Sequence, residues 1–393
     1  GVRLVGSEMC IRDSTRITFP FLFFVSVSSF FSGILNTNNK FAAAAAAPII
    51  LNIFLILSLV ISHFFNLNFE INLSYAVSFA GFFQLIFLIF CTKRYYKPSI
   101  NFKIKINTQI KYFLKKLLPS IFSSGVTQIN ILIGTIIASF EAGAVSYLYY
   151  ADRIYQINLA IAGIAIGTVV LPELSKNIKS KNFKNAMNIQ NKSLVLCLLF
   201  SLPACFGLII ASEEIVSALF GYGSFSEKNV ILTAQALKYF GYGVPAFALI
   251  KVLSNFLFAR DNTKVPFYIS AFIVFLNILI TLIYFKEIGF VIIPIATSIS
   301  TWIGVLIYTT LLIKFKYFSV ESTFFINLLK IVISLIIMTL ALYYSINFFE
   351  DKLIYNNYYK SIYLIMIVIL AAGIYLLLAR LLGVLKIKNF TTN

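Results

Sequence analysis

Long apolar runs recur along the whole sequence, and most approach the roughly 20 residues that a helix needs to cross a bilayer. Of the 393 residues, 60% are hydrophobic and 12% are charged. Soluble domains are about 45–50% apolar and about 25% charged, so this composition excludes a soluble globular fold. The sequence therefore predicts an all-α integral membrane protein, because a helix satisfies its backbone hydrogen bonds without water.

Eleven segments are predicted to span the membrane. Each is apolar over most of its length and is bounded by polar or basic residues. The predicted spans are 17–35, 41–65, 71–92, 117–138, 143–172, 193–212, 230–258, 265–285, 288–313, 328–349 and 361–383.

Basic residues concentrate in alternate connections between these spans. The 93–116 segment contains eight lysine and arginine residues and no acid, and the 173–192 connection contains five lysines. Such residues are retained on the cytoplasmic side, so 93–116 and the C-terminus are predicted to be cytoplasmic. The net charge of +18 is therefore assigned to membrane orientation, and no nucleic-acid partner is predicted.

The first residues are expected to lie outside the fold. Residues 1–14 show neither hydrophobic periodicity nor a signal-peptide pattern, and they are expected to be non-native sequence. The predicted orientation also requires the first span to begin outside the cell. We therefore expect an odd number of helices to precede it in the natural protein.

An internal repeat relates the early spans to later ones. Each copy is a helix, a short polar and basic turn, and a second helix, as transporters with parallel repeats have. At one constant spacing, Pro20 aligns with Pro245, Val27 with Val252, Ser29 with Ser254, Phe31 with Phe256, and Leu51-Asn52-Ile53 with Leu276-Asn277-Ile278.

Asp152 and Arg153 are the strongest candidates for a binding role. They lie about ten residues into the predicted 143–172 span, roughly 15 Å deep at about 1.5 Å per residue. Charges at that depth usually face a cavity or a partner, and neighbouring helical positions point about 100° apart. We expect Arg153 to face a polar cavity, where its planar guanidinium would suit a phosphate group.

Three further cations are candidates, each with a plainer alternative. Lys251 lies about 12 Å deep, but its long stem could equally carry the charge to the interface. Lys40 and Arg260 lie in the matching turns of the two repeat copies. Either could meet an anionic head group, or could serve only to orient the chain.

The sequence lacks the groups that a membrane enzyme needs. Walker A, GxSxG and HExxH motifs are absent, and Asp152 is the only acid well inside a predicted span. The four cysteines show no CxxC or Cys/His spacing, so no metal site and no cofactor are predicted. An enzyme acting on polyprenyl-phosphate sugars remains the alternative from a different class.

Three stretches resemble the lipid II flippase MurJ (MviN) family. They are TRITFPFLFFVSVSSFFSGILNTNNKFAAAAAAPIILN from Thr15, SFEAGAVSYLYYADRIYQINLAIAGIAIGTVVLPELSK from Ser139, and KVLSNFLFARDNTKVP from Lys251. The resemblance runs from about residue 15 to the end. It implies the fourteen-helix fold of the multidrug/oligosaccharidyl-lipid/polysaccharide exporters, of which eleven helices and not the first three would be present.

The resemblance also implies boundaries and roles. Residues 15–92 would complete the N-terminal lobe, 93–116 would be a cytoplasmic loop, 117–313 would form the C-terminal lobe, and 314–393 would hold an extra helix pair lining a groove for a polyprenyl tail. Asp152 and Arg153 match the family's central charged pair, with Arg153 binding a pyrophosphate. Gln156 replaces an acid that is common in the family, and sodium is not carried over because no acid lies in 117–138 or 265–285.

The implied function is transport of lipid II across the inner membrane by alternating access. Its partners would be that lipid-linked anionic substrate and the membrane lipids, and the oligomeric state is left open, a monomer included. A flippase of another polyprenyl-pyrophosphate-linked oligosaccharide is the nearest alternative.

Overall fold

The computed structural model describes residues 2–38, 40–96, 128–159 and 165–385, together with 108, 110 and 111. Within them the chain is helical and contains no β-strand. It divides into two units, 1–107 and 108–393. The helices are α1 Val2–Thr37, α2 Phe41–Phe64, α3 Phe69–Thr92, α4 Gln128–Ala138, α5 Ala144–Leu159, α6 Ala165–Lys179, α7 Phe183–Ile210, α8 Ser212–Phe220, α9 Glu227–Phe258, α10 Lys264–Ile288, α11 Ile292–Lys314, α12 Ser322–Phe348, α13 Glu350–Leu353 and α14 Lys360–Leu381.

The first unit is built around α3, which packs along both α1 and α2. Its small core contains Leu35, Ala47 and Leu88, one residue from each helix. Gly81 permits the close approach of α1, since a Cβ there would lie 2.7 Å from the ring of Phe21. Small residues at helix contacts are typical of membrane proteins, in which van der Waals packing drives helix association.

The second unit is built around α9, which packs against α5, α6, α7, α8 and α11. Its small residues allow this crowding. A Cβ on Gly241 would lie 3.1 Å from the Cβ of Leu208 on α7, and one on Gly243 would lie 2.7 Å from the Oγ of Ser298 on α11. Most residues of α9 are therefore buried.

The C-terminal helices α12 and α14 pack on each other and on α7 and α8. Polar contacts fasten them at two levels. The Tyr375 hydroxyl donates to the Leu199 carbonyl at 2.7 Å, and the Asn191 amide donates to the Ser319 carbonyl at 3.0 Å. The first of these hydrogen bonds is buried and the second partly buried, and together they hold α14 and the segment before α12 against α7.

Most of the predicted spans are confirmed. Nine coincide with α1, α2, α3, α7, α9, α10, α11, α12 and α14. Among the described residues, eight helical stretches are long and apolar enough to cross a membrane, with Lys264–Lys314 counted as one. Gly289 separates α10 from α11 within that stretch, since its φ of +77° suits glycine. The start of 117–138 and the middle of 143–172 lie outside the described residues.

Three connections differ from the prediction. The 173–192 connection is mostly helix, because α6 continues to Lys179 and α7 begins at Phe183. Helix α8 occupies part of the expected 213–229 connection, and α12 begins inside the expected 314–327 connection. The predictions followed hydrophobicity, whereas lysine, glutamate and alanine continue a helix well beyond the apolar core.

Two boundary predictions stay untested. Residues 97–107, 109 and 112–116 of the predicted basic loop lie outside the described residues. Residues 2–14 form the start of α1, which does not decide whether they are native.

The two repeat copies build the same helix arrangement. In α1–α3 the third helix packs on both others, and in α9–α11 the third helix does the same. Pro20 lies inside α1 and Pro245 inside α9. The Ser29 hydroxyl donates to the Ser26 carbonyl, and the aligned Ser254 hydroxyl donates to the Lys251 carbonyl. The fold thus has two pseudo-symmetric helical lobes and a C-terminal helix pair.

Candidate functional site

Asp152 and Arg153 lie side by side on α5 and point in different directions. Gln156, one turn further on, donates a hydrogen bond to the half-buried Asp152 carboxylate. The Arg153 Nη2 donates to the Tyr149 hydroxyl at 3.1 Å, and its guanidinium lies 4.6 Å from the centre of the Tyr149 ring. Among the described residues, neither forms an ion pair.

Arg153 is exposed and keeps most of its hydrogen-bonding capacity. Tyr149 is its only hydrogen-bond partner among the described residues, so most of its five N–H donors have no protein acceptor. A cation–π contact with the Tyr149 ring adds to this hydrogen bond in holding the guanidinium group. An exposed planar guanidinium fixed in this way can form paired hydrogen bonds with a phosphate group.

Helix α5 packs on α9 through Tyr155. The Tyr155 ring lies 5.4 Å from that of Phe240 and 5.2 Å from that of Phe247. Arg153 precedes Tyr155 by two positions, so it lies on nearly the opposite side of α5. Lys251 follows Phe247 by one turn on α9 and is exposed. Arg153 and Lys251 therefore belong to one unit but are not in contact.

Arg260 anchors a connection. Its Nη1 donates to the Phe256 carbonyl at 2.6 Å, and its Nη2 donates to the Tyr317 carbonyl at 2.8 Å. Its guanidinium also lies 4.5 Å from the Tyr317 ring centre. Burial lowers the pKa of Arg260, and the interaction with Tyr317 partly opposes this shift. These contacts join the end of α9 to the α11–α12 connection.

Lys40 lies in the first unit at the start of α2. It is exposed, and its side chain makes no capping hydrogen bond to that helix. Its backbone N–H donates to the Leu35 carbonyl at 2.9 Å and so terminates α1. The roles predicted for Lys40, Lys251 and Arg260 in substrate binding stay predictions.

An apolar cavity lies in the second unit between α5, α7, α8, α12 and α14. Its volume is about 440 Å³. Its lining is almost entirely apolar, with Asn158 and Tyr375 as the polar side chains. Both already donate hydrogen bonds to backbone carbonyls, of Ile154 and Leu199 respectively. The cavity therefore suits a flexible apolar chain and offers little to a polar ligand.

A polar cluster joins α4, α10 and α11. The Asn277 amide donates to the Asn130 Oδ1 at 3.1 Å and to the Thr297 Oγ1 at 3.2 Å, and Thr281 donates to the Asn277 Oδ1 at 3.3 Å. No carboxylate takes part in these hydrogen bonds. Among the described residues, no three potential metal ligands lie together.

The model of the family described as Lipid II flippase MurJ matches residues 7–364. The chain belongs to the MurJ family. The probable lipid II flippase MurJ of Rickettsia prowazekii is 38% identical over 291 residues, which cover 73% of this chain and 56% of that protein. The corresponding protein of Rhizobium meliloti is 34% identical over 335 residues, covering 84% of this chain and 62% of that protein. The chain thus spans a little over half the length of these relatives.

Solved structures agree with this assignment. A lipid II flippase MurJ in an inward closed conformation is 28% identical, with a TM-score of 0.74 over 93% of this chain and 72% of that chain. An inward-facing multidrug resistance MATE family transporter is 13% identical, with a TM-score of 0.67 over 76% of this chain and 70% of that chain. The latter shows the fold alone. As a MurJ family member, the chain is a multi-pass protein of the bacterial inner membrane, and its family is one of transporters.

The burial of one charged residue of this MurJ family member was not predicted from the sequence. Lys360 is 1% exposed, although it is the first residue of the apolar helix α14. Sequence reasoning treats a lysine at the end of a span as interfacial. The only available signal was its aromatic surroundings, in which Tyr355, Tyr358 and Tyr359 precede it. The decisive partner, the α8–α9 connection, is distant in sequence.

Proposed function

We propose that the chain acts in moving lipid II from the inner to the outer leaflet by alternating access. The observation that carries the proposal is the exposed Arg153 guanidinium, held by Tyr149 and otherwise free of protein partners among the described residues. Pyrophosphate is the one part of such a lipid that is always doubly anionic. A fixed guanidinium recognises it through paired charge-assisted hydrogen bonds.

Two further observations support this proposal. The apolar cavity of about 440 Å³ offers a place for part of an isoprenoid chain while the head group changes leaflet. The matching relatives are themselves named probable lipid II flippases. In the proposed cycle Arg153 binds the pyrophosphate, Asp152 is held by Gln156, and Lys251 adds positive charge on α9. The predicted cytoplasmic C-terminus places the basic connections at the leaflet where the substrate is loaded.

Reconstitution tests the function directly. The protein is placed in liposomes containing fluorescent lipid II, and a membrane-impermeant reductant quenches the label in the outer leaflet. We expect protein-dependent loss of the protected inner-leaflet signal. Arg153→Ala should abolish most of it, whereas Arg380→Ala, which removes an exposed arginine from α14, should not.

The outcomes separate the candidate roles. Translocation by Arg153→Ala at the wild-type rate would contradict the role of that residue. Translocation of a different polyprenyl-pyrophosphate oligosaccharide in preference to lipid II would support the alternative cargo. Turnover of the lipid, lost on substitution of Asp152, would instead indicate an enzyme.

A further inference from the structure

Lys360 is enclosed by backbone carbonyls and aromatic rings. Its Nζ donates to the Gly221 carbonyl at 2.8 Å and to the Tyr355 carbonyl at 2.7 Å. It also lies 4.4 Å from the Tyr222 ring centre and 4.6 Å from the Tyr355 ring centre. Among the described residues no carboxylate forms an ion pair with it. A buried ammonium therefore depends on the carbonyl dipoles and ring faces around it.

Gly221 is complementary to this lysine. Its φ of −70° is ordinary, so the glycine is not required by backbone conformation. A Cβ at this position would lie 3.0 Å from the Lys360 Nζ and 2.6 Å from the Ser217 carbonyl oxygen. The missing side chain leaves the space into which the ammonium group fits.

Residues next to Lys360 form further hydrogen bonds to the end of α8 and the connection after it. The Ser361 Oγ lies 2.7 Å from the Ala218 carbonyl and 2.7 Å from the Tyr222 hydroxyl. The Tyr355 hydroxyl donates to the Phe225 carbonyl at 2.6 Å. These contacts tie the start of α14 to the end of α8 and the connection that follows it. We call this set the Lys360 junction: Lys360, Ser361 and Tyr355 against residues 218–225.

The junction stands at one end of the apolar cavity. Ile215 of α8 and Ala211, which immediately precedes that helix, form part of one wall. Val368 and Ala371 of α14 form part of another. Further along, Tyr375 fastens α14 to Leu199 of α7. Helix α14 is thus held to the end of α8 at one end of the gap and to α7 at the other.

We propose that Lys360 is a positioning residue that sets the width of the apolar cavity by holding α14 against α8. The cavity can then stay open for a linear apolar chain rather than collapse when empty. That the occupant is the isoprenoid chain of a lipid-linked substrate rests on the proposed function. The positioning role itself does not.

A distance measurement tests the positioning role without any substrate. Spin labels are placed at the exposed positions Leu219 on α8 and Ile365 on α14, in a background whose native cysteines are replaced. Lys360→Met keeps an unbranched side chain, shorter by one atom, and removes its charge and donors. We expect a longer mean distance and an at least twofold broader distribution. Lys352→Met, which removes an exposed lysine from α13, should change neither.

Milder variants keep the test decisive if Lys360→Met does not fold. Tyr355→Phe and Ser361→Ala each remove one hydrogen-bonding group and leave the lysine in place. Each should broaden the same distribution by a smaller amount. Unchanged distances in every folded variant of the junction would overturn the proposal.

A ligand-binding measurement distinguishes a positioning role of Lys360 from a general loss of structure in the variants. The probes are a long-chain polyprenyl phosphate and farnesyl phosphate, which share a head group and differ in chain length. We expect the junction variants to lose severalfold in their preference for the long chain, while binding farnesyl phosphate nearly as wild type does. An equal loss for both probes would show a merely structural role. No binding of either probe by wild type, together with changed distances, would refute the proposed occupant and leave the positioning role standing.

Discussion

The two repeat copies share a helix pattern but differ in their surroundings. In α1–α3 the aligned residues Pro20 and Asn52 are exposed, whereas in α9–α11 their counterparts Pro245 and Asn277 are buried. Within this chain, α5, α6, α7 and α8 all pack on α9, whereas α1 packs on α2 and α3. The same local sequence pattern therefore specifies a helix triplet, and the neighbouring helices decide which of its residues matter for stability.

Glycine substitutions should give the largest difference in stability loss between α9 and α1. Gly241→Leu places a Cβ 3.1 Å from the Cβ of buried Leu208, so α7 and α9 must separate. Overpacking of this kind costs about 1–3 kcal/mol. Gly33→Leu on α1 is the matched control, since a Cβ at that position would have no neighbouring atom within 4 Å. Unfolding in detergent titrated with sodium dodecyl sulfate measures both, and equal losses would contradict the comparison.

Substitution of the aligned asparagines Asn52 and Asn277 should give the second largest difference in the free energy of unfolding. Asn277→Leu removes hydrogen bonds to Asn130, Thr297 and Thr281. Each such bond inside a membrane protein is worth about 0.6 kcal/mol on average, so we expect a loss of about 1–2 kcal/mol in the free energy of unfolding. Asn52→Leu should lose nothing, because Asn52 is exposed and has no side-chain hydrogen bond among the described residues. A comparable loss at Asn52 would show that the first copy is packed more tightly than its surface indicates.

The packing of helices around α9 also buries a carboxylate, that of Glu214 on α8, which lowers the stability of the protein. Burial raises the pKa of Glu214 above its ordinary value of 4.5, and the Glu214 Oε2 has no hydrogen-bond partner in the part of the chain that the structure describes. The native state therefore retains this proton more tightly than the unfolded state, so stability falls as the pH rises through the raised pKa. Glu214→Gln should raise the free energy of unfolding by up to about 1 kcal/mol at neutral pH and by less near pH 4. Glu287→Gln, at an exposed residue of α10, is the control, because Glu213 itself contributes to the raised pKa of Glu214. A pH-independent effect of Glu214→Gln would refute the explanation.

The aligned serines should show the smallest effect. Ser29 and Ser254 each donate to the carbonyl three residues before, a bond that lies within one helix. Such local bonds hardly affect helix stability, so Ser29→Ala and Ser254→Ala should each change the free energy of unfolding by less than about 0.5 kcal/mol. A large loss at Ser254 alone would mean that this serine also joins α9 to a neighbouring helix.

Features that depend on local sequence pattern, such as the positions of the helices, could be predicted from the sequence. Apolar runs located most helices. The adjacent positions of Asp152 and Arg153 predicted side chains that point about 100° apart, in agreement with their separate partners Gln156 and Tyr149. The helices extend beyond the predicted spans in the 173–192 and 314–327 connections, because hydrophobicity does not report where a helix stops. The enclosure of Lys360 could not be predicted, since its partner Gly221 lies far away in sequence, in the α8–α9 connection, and the contact depends on tertiary packing.

Pyrophosphate recognition by Arg153 is the central claim, and lipid binding by the protein in nanodiscs tests it most directly. Wild type, Arg153→Ala and Arg380→Ala are titrated with a polyprenyl pyrophosphate and with the corresponding polyprenyl alcohol. We predict that Arg153→Ala weakens binding of the pyrophosphate by about tenfold, equivalent to about 1.4 kcal/mol, and leaves binding of the alcohol unchanged. Wild-type affinity for the pyrophosphate in Arg153→Ala, or an equal loss in Arg380→Ala, would contradict the claim.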